Sequence, residues 1–255
     1  MSPADVGDTG GRSEERPLVL VHGYLGGAGQ WADLRQAFSN RFRVVTIDLP
    51  GFSDAAHRPA PATIGGFADD VIAQLDALGI DRFCLLGHSM GGMIVQEMAH
   101  KIPSRVDRLV LYGTGPLGRM PDRFETLEVS LERLDCEGVA ATARRIAATW
   151  FVKGEDHPGF QIVNRIGAMA SAAAAQSSLQ AMADWDGRPN LSSLTMPSLV
   201  VWGDRDKSYR WPQVETLWSG LPDASLAVVP GASHAVHLEK PDIFTAIVMD
   251  YLTSR

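Results

Sequence analysis

The sequence has little cysteine, no dense cluster of basic residues and no long apolar run. With only Cys84 and Cys136 available, we expect no disulfide framework, and a reducing compartment is favoured. The formal net charge of −7 and the lack of a Lys/Arg cluster argue against a nucleic-acid-binding surface. No apolar run approaches the length of a membrane span, so no membrane partner is expected.

The first residues of the chain, 1–16, are polar and contain neither a basic segment nor an apolar core. They therefore lack the pattern of a signal peptide, and we expect a flexible tail on a soluble, cytoplasmic protein. The remaining length, with 45% hydrophobic and 21% charged residues overall, suits one large domain or one domain with an inserted subdomain.

Short apolar runs alternate with segments of helical spacing along most of the chain. Such alternation predicts an α/β fold, in which a mostly parallel sheet with helices on both faces is built from right-handed crossovers. The predicted strands lie at 17–21, 42–47, 82–86, 108–112, 198–202 and 226–229.

From Pro116 to about Pro189 the sequence has only helical patterns, including a long Ala-rich segment over 162–183. This insert follows the carboxyl end of a predicted strand, where ligands bind in open α/β sheets. We therefore expect an all-helical cap at 116–189 over a core formed by 17–115 and 190–255. The alternative is a separate helical bundle with no catalytic role.

The motif Gly87-His88-Ser89-Met90-Gly91 stands between a buried strand and a helix. A sharp strand-to-helix turn strains the backbone of its central residue and leaves no room for side chains at the two flanking glycines. The pattern predicts a nucleophile elbow that holds the Ser89 hydroxyl at the tip of the sheet. A structural Gly-rich turn is the alternative.

A serine hydroxyl needs a base within hydrogen-bond reach and a group that orients the base. His234 lies in the loop after the last predicted strand and is the favoured base, whereas His237 stands nearer the next helix and suits a structural role. Two carboxylates follow the preceding strand. Asp206 is further into the loop and is the favoured acid, whereas Asp204 suits a role in the turn. Serine, acid and histidine then follow the chain order of hydrolases with this elbow.

The oxyanion of a tetrahedral intermediate needs hydrogen-bond donors, for which we expect the backbone N–H groups of Met90 and Tyr24. Apolar side chains of the insert, together with one residue of the first loop, are candidate pocket walls, although such residues also serve packing. They suggest a mainly apolar small-molecule substrate. No metal-ligand spacing and no dinucleotide-binding motif is found, so no metal or cofactor is expected. The candidate walls are Leu25, Met120, Phe124, Leu127, Trp150, Phe151, Met169 and Trp185.

Taken together, these motifs resemble the α/β-hydrolase family, in its serine-hydrolase subgroup with a helical cap. The resemblance extends from Pro17 to the end of the chain. It also implies that the acid is Asp206, since the acid of the family usually stands three residues after the glycine found here at Gly203. The matching motifs are His22-Gly23-Tyr24, Asp48-Leu49-Pro50-Gly51-Phe52-Ser53, Gly87-His88-Ser89-Met90-Gly91-Gly92, Gly203-Asp204-Arg205-Asp206, Gly231-Ala232-Ser233-His234 and Glu239-Lys240-Pro241.

The chain departs from the family pattern in two places. The family often has an antiparallel strand pair before the His-Gly loop, but residues 1–16 lack strand character, so we expect the sheet to be shortened at that edge. The loop after the acid usually reaches a proline soon, but here it is delayed to Pro212, which leaves the course of the loop open.

The triad predicts attack on an activated carbonyl, an acyl-serine intermediate and its hydrolysis, with a carboxylic ester or lactone as substrate. The alternative is carbon–carbon bond hydrolysis, as in the similar meta-cleavage-product hydrolases. Those usually carry tryptophan where this chain has Ala235, which weakens that interpretation. A cofactor-free haloperoxidase and a non-catalytic ligand-binding protein are further alternatives. Dehalogenases and epoxide hydrolases are disfavoured, because they use a carboxylate nucleophile. A monomer or homodimer is expected.

Overall fold

The structure is a computed structural model that describes residues 6–8, 17–119 and 123–254. Its sheet has the strand order β1-β3-β2-β4-β5-β6-β7. All neighbouring strands are parallel except β1, which pairs antiparallel with β3. The predicted fold class and all six predicted strands are confirmed. The strands are β1 (Val6–Asp8), β2 (Pro17–Val21), β3 (Arg43–Ile47), β4 (Phe83–His88), β5 (Val106–Tyr112), β6 (Ser198–Gly203) and β7 (Ala224–Val229).

The expectation that residues 1–16 lack strand character is wrong for residues 6–8, which form a single strand at the edge where the family often has a pair. Val6 pairs with Ile47 and Asp8 with Val45, so β1 extends the sheet beyond β3. A sheet edge offers free backbone N–H and C=O groups, and a short strand can add to it without an apolar pattern of its own. The rest of the predicted flexible tail, residues 1–5 and 9–16, lies outside the described residues.

The central strands read as continuous apolar runs because both of their faces are buried. In β2, Val19 and Val21 pack into one hydrophobic cluster, while Leu18 and Leu20 pack into the cluster on the other face. The helices that complete the fold are α1 (Ala32–Phe38), α2 (Ile64–Ala77), α3 (Met90–Lys101), α4 (Leu127–Thr149), α5 (Phe160–Gly167), α6 (Ala172–Ala183), α7 (Trp211–Gly220), α8 (Val236–Glu239) and α9 (Pro241–Thr253).

Helices cover both faces of the sheet, as predicted. The apolar side chains of α2, α3 and α7 belong to the cluster that contains Val19, whereas those of α1 and α9 belong to the cluster that contains Leu18. Each helix therefore buries one apolar stripe against the strands.

The segment between β5 and β6 forms α4, α5 and α6, and an antiparallel bridge between Leu117 and Asp186 joins its two ends. The Ala-rich segment at 162–183 is not continuous. It is divided between α5 and α6, and Ser171 caps α6 by accepting a hydrogen bond from the N–H of Ala174 (3.2 Å). A run of good helix formers conceals such a break. The cap limits at 116–189 remain a prediction.

No helix in the described part of the chain is both long and apolar enough to span a bilayer. The cytoplasmic location and the monomeric or homodimeric state remain predictions.

The start of α3 crosses β2 so closely that glycine is required at Gly91. A Cβ there would lie 2.3 Å from the carbonyl oxygen of Val21. We predict that Gly91→Ala lowers the free energy of unfolding by about 1–3 kcal/mol, as overpacking does. The matched control is Gly65→Ala in α2, where the nearest atom to the new Cβ is 3.7 Å away. The control should be neutral or stabilising by up to about 1 kcal/mol. Equal denaturant-unfolding midpoints for the two variants would contradict the predicted clash.

Candidate active site

The turn from β4 into α3 has the geometry of the predicted elbow. Ser89 has φ 57° and ψ −121°, a backbone conformation that non-glycine residues rarely adopt. A Cβ on Gly87 would lie 2.3 Å from the carbonyl oxygen of Gly91. Two hydrogen bonds hold the strained peptide: the Ser89 N–H donates to the Tyr112 carbonyl (3.0 Å), and the Thr114 hydroxyl donates to the Ser89 carbonyl (2.8 Å).

The loop after β6 brings one of its two carboxylates to His234. Asp206 Oδ2 lies 2.8 Å from His234 Nδ1, and both side chains are buried. The other oxygen, Asp206 Oδ1, accepts hydrogen bonds from the N–H groups of Ser208 (2.7 Å) and Tyr209 (3.2 Å). Asp204 instead accepts from the N–H of Gly231 (2.7 Å) and so ties two loops together. The structure therefore places Asp206, and not Asp204, beside His234.

Aromatic rings pack against the side chain of His234, and polar groups contact its carbonyl oxygen. Its ring stacks on Tyr209, with centroids 5.8 Å apart and an interplanar angle of 11°, and meets Trp150 edge-on at 5.3 Å. Its carbonyl oxygen accepts a hydrogen bond from the Tyr112 hydroxyl (2.9 Å) and lies 3.1 Å from His88 Nε2. Ring and backbone are thus fixed independently of each other.

His237 is buried and does not line the cavity that contains Ser89 and His234. Its Nδ1 lies 3.0 Å from the Tyr112 hydroxyl, and its ring packs 4.8 Å from that of Trp31. Burial lowers the pKa of His237 to about 3 and holds the pKa of His88 well below its ordinary value. Both rings are therefore neutral supports at neutral pH.

His22 shapes the loop that follows β2. Its Nδ1 lies 2.8 Å from the Gly23 carbonyl oxygen, and its Nε2 accepts a hydrogen bond from the N–H of Leu49 (3.0 Å). Burial lowers the pKa of His22 to about 4, so the neutral tautomer with its proton on Nδ1 satisfies both contacts. The loop presses against the elbow, because a Cβ on Gly23 would lie 2.7 Å from Cβ of Ser89.

The two predicted oxyanion donors flank Ser89. Tyr24 follows Gly23 in this loop, and Met90 is the first residue of α3. Neither backbone N–H donates a hydrogen bond to another residue in the described part of the chain. Their role as oxyanion donors stays a prediction.

Ser89 and His234 line one cavity, which also contains two of the predicted walls, Phe124 and Trp150. Its atom-free space, including the part open to solvent, is about 340 Å³. The lining residues are Tyr24, Ser89, Arg123, Phe124, Ile146, Trp150, Met182, Ser208, Tyr209 and His234.

The other predicted walls do not line this cavity. Phe151 is buried and stacks on His157, Trp185 donates a hydrogen bond from Nε1 to Glu97 of α3 (2.8 Å), and Met169 is 44% exposed. Leu25 and Leu127 are buried in the core cluster instead. An apolar stripe predicts burial, but it does not predict which cluster receives each side chain. Met120 lies outside the described residues.

Three polar residues of the cavity are missing from the sequence prediction: Arg123, Ser208 and Tyr209. Ser208 and Tyr209 could have been found from the sequence, since they stand in the unusually long stretch between Asp206 and Pro212. That extra length carries the Tyr209 ring onto His234. Arg123 follows an unpatterned stretch and had no comparable signal.

Within residues 17–119 and 123–254, no group of three or more His, Cys, Asp or Glu side chains is arranged to hold a metal ion.

Comparison with known proteins agrees with the fold. Residues 18–247 match the profile of the alpha/beta hydrolase family. Since this match spans most of the chain, the chain belongs to the α/β-hydrolase family and is a hydrolase.

Relatives of similar length carry several hydrolase names. The chain is 28% identical over 251 residues to the "Putative carbamate hydrolase RutD" of Caulobacter sp. (strain K31), covering 96% of this chain and 93% of that one. It is 29% identical over 261 residues to a 2-hydroxy-6-oxononadienedioate/2-hydroxy-6-oxononatrienedioate hydrolase of Pseudomonas sp, covering 97% and 90%. The crystal structure of the enol-lactonase from Burkholderia xenovorans LB400 superimposes with a TM-score of 0.87 at 26% identity, covering 98% and 96%.

The buried neutral histidines generate a pH-dependent stability. His22 and His237 keep a pKa of about 4 and about 3 in the native state, against an ordinary value of 6.5. Between pH 6.5 and 4 the unfolded chain therefore binds protons that the native chain does not. We predict that the free energy of unfolding falls on acidification by about 1.4 kcal/mol per pH unit for each such histidine.

Urea unfolding between pH 7.5 and 4.5 measures this slope. His237→Gln should make the slope shallower by about one proton, whereas the exposed His100→Gln should leave it unchanged. A slope that is identical in wild type and His237→Gln would show that His237 is not the group responsible.

Proposed function

We propose that the protein is a serine hydrolase in which Ser89 is the nucleophile, His234 the general base and Asp206 the acid that orients the base. One observation carries the proposal: a serine in a strained strand-to-helix turn shares a cavity with a histidine that hydrogen-bonds a buried carboxylate at 2.8 Å. A structural Gly-rich turn would need neither the histidine nor the carboxylate.

The hydrogen bond at Nδ1 defines the chemistry of His234. With its proton on Nδ1 and directed at Asp206, the neutral ring has its lone pair on Nε2, where it can accept the Ser89 proton. Asp206 then stabilises the imidazolium that forms. The backbone N–H groups of Tyr24 and Met90 bind the oxyanion of the tetrahedral intermediate. His234 next protonates the leaving group, and water hydrolyses the acyl-serine by the reverse sequence.

The proposed substrate is a carboxylic ester or lactone of a small molecule. Phe124, Ile146, Trp150 and Met182 supply an apolar wall to the cavity. The structural similarity to an enol-lactonase at 26% identity supports an ester-type bond.

Hydrolysis of a carbon–carbon bond in a vinylogous diketone is the second candidate. It is favoured by the relative from Pseudomonas sp, whose name gives a 2-hydroxy-6-oxo-dienedioate as the compound hydrolysed. The two candidates are distinguished by assaying esters, lactones and a coloured dienoate side by side. If the ester or lactone proposal is right, the rate constant for the dienoate should be far below those for the esters.

Wild type should react with a fluorophosphonate probe at Ser89, because a nucleophile activated by His234 attacks phosphorus as it attacks a carbonyl. Ser89→Ala should remain unlabelled while it keeps the thermal unfolding midpoint of wild type within a few degrees. Labelling is read by intact-protein mass spectrometry. A probe adduct on Ser89→Ala would assign the nucleophile to another residue.

Asp206→Asn should lower kcat on a reactive ester by about three to four orders of magnitude, because an amide cannot stabilise the imidazolium and favours the wrong tautomer. The matched control is Asp204→Asn, which replaces by an amide the carboxylate that accepts a hydrogen bond from the Gly231 N–H (2.7 Å). This control should lower the unfolding midpoint more than it lowers kcat. The reverse ranking of the two variants in kcat would make Asp204 the acid.

A further inference from the structure

Arg123 brings a positive charge to the wall of the cavity that contains Ser89 and His234. Its Nη1 donates hydrogen bonds to the Glu125 carbonyl oxygen (2.9 Å) and to the Ser130 hydroxyl (2.9 Å). Its guanidinium lies 4.3 Å from the ring centroid of Phe124. No carboxylate in residues 17–119 and 123–254 lies within 4.0 Å of its nitrogens. Burial lowers the pKa of Arg123, and the charge of Glu125 opposes this from a greater distance. A largely buried guanidinium without a carboxylate partner is costly unless a ligand supplies the negative charge.

The acid nearest in sequence, Glu125, is already occupied by other groups. Its carboxylate accepts hydrogen bonds from Arg145 Nη1 (2.6 Å) and from the Ser130 hydroxyl (2.5 Å), and lies 3.6 Å from Arg133 Nη1. Glu137 lies 3.5 Å from Arg145 Nε. This cluster therefore has three arginines and two glutamates, which leaves one positive charge in excess, and the arginine without an ion pair is the one that reaches the cavity.

Tyr24 places a second donor in the same cavity. Its hydroxyl is buried and has no hydrogen-bond partner among the described residues. Burial raises its pKa, the positive charges of Arg123 and Arg145 oppose that shift, and the negative charge of Glu125 adds to it, so the hydroxyl lies within the field of all three groups. A purely apolar substrate would leave the hydroxyl without a partner and would cover the guanidinium without supplying a negative charge. A carboxylate, which only accepts hydrogen bonds, would satisfy both.

We propose that the ester or lactone substrate carries a carboxylate group that binds the Arg123 guanidinium and the Tyr24 hydroxyl, while its apolar part contacts Phe124 and Trp150. This inference rests on the proposed hydrolase activity at Ser89. It adds an anionic group to the apolar substrate predicted from the sequence. The carboxylate subsite selects the substrate and takes no part in bond cleavage.

The test compares esters that differ only in the charge at a distant end. One pair is the 4-nitrophenyl hemiester of adipic acid and 4-nitrophenyl hexanoate, which place carboxylate or methyl on the acyl side. The other pair is 4-acetoxybenzoate and 4-methylphenyl acetate, which do so on the leaving group. The readout is the ratio of kcat/KM for the anionic ester to kcat/KM for its neutral partner, after correction for spontaneous hydrolysis.

Arg123→Gln should lower this ratio by about tenfold to a hundredfold in at least one pair, chiefly through KM, as expected for loss of a charged hydrogen bond. Arg123→Lys keeps the positive charge but loses the paired N–H groups of the guanidinium, and it should lower the ratio less than Arg123→Gln does. Tyr24→Phe removes the hydroxyl but keeps the backbone N–H, and should lower the ratio by a few fold. The matched control is Arg119→Gln, an exposed arginine paired with Glu128 outside the cavity, which should leave the ratio unchanged.

The possible failures are distinguishable. A wild type that hydrolyses both members of each pair with a ratio that Arg123→Gln and Tyr24→Phe leave unchanged would overturn the carboxylate subsite alone. A wild type that hydrolyses no ester and resists the fluorophosphonate would overturn the proposed function, and this inference with it. Should Arg123→Gln fail to fold, Arg123→Lys and Tyr24→Phe decide the question by the same ratio.

Discussion

The close approach of backbone at the strand-to-helix turn is the constraint on which the site depends. A Cβ on Gly87 would clash with the Gly91 carbonyl across the turn, and a Cβ on Gly91 would clash with the Val21 carbonyl at the end of β2. This contact forces Ser89 to a positive φ and holds its side chain above the carboxyl ends of the strands. It also presses the loop after β2 against Ser89. The same contact therefore sets the serine beside both proposed oxyanion donors. Helix α5 supports the same loop, because a Cβ on Gly167 would lie 2.9 Å from the Leu25 carbonyl oxygen.

The proposed base is held by a different set of contacts, which connects the sheet with α4. Tyr112 of β5 donates a hydrogen bond to the His234 carbonyl oxygen. At the end of α4, two carbonyl groups accept hydrogen bonds: Thr149 from the Ser233 hydroxyl (3.1 Å) and Trp150 from the Ala235 N–H (2.9 Å). Carbonyl groups at a helix end have no partner within the helix, so they are free to bind the neighbouring loop. A shift of α4 would thus move His234, whereas Ser89 would stay in place.

How far the sequence predicts this molecule depends on whether a residue is fixed by backbone or by packing. The elbow and the strands follow from steric rules that need no knowledge of neighbours, and the pairing of Asp206 with His234 follows from the loop lengths at one sheet edge. The walls of the cavity do not follow. Phe124 and Phe151 are equally apolar, yet only Phe124 lines the cavity, because the choice is made by how α4 packs on its neighbours. The strand β1 was not predicted because the pairing of three residues with the edge of β3 follows from backbone hydrogen bonds, which leave no apolar pattern in the sequence.

Arg123 shows why polarity in a cavity is harder to predict than burial. Its lack of a direct carboxylate partner depends on Ser130 and Arg145, both of which donate hydrogen bonds to the Glu125 carboxylate. Had Glu125 paired with Arg123, the cavity would hold a neutral ion pair and offer nothing to an anionic group. The three residues stand along one stretch of 21 positions, 125–145, but their contacts require the bend of α4 at Gly138, which has φ 79°. An exposed glycine within α4 thus contributes to the arrangement of charges around the cavity of the proposed nucleophile.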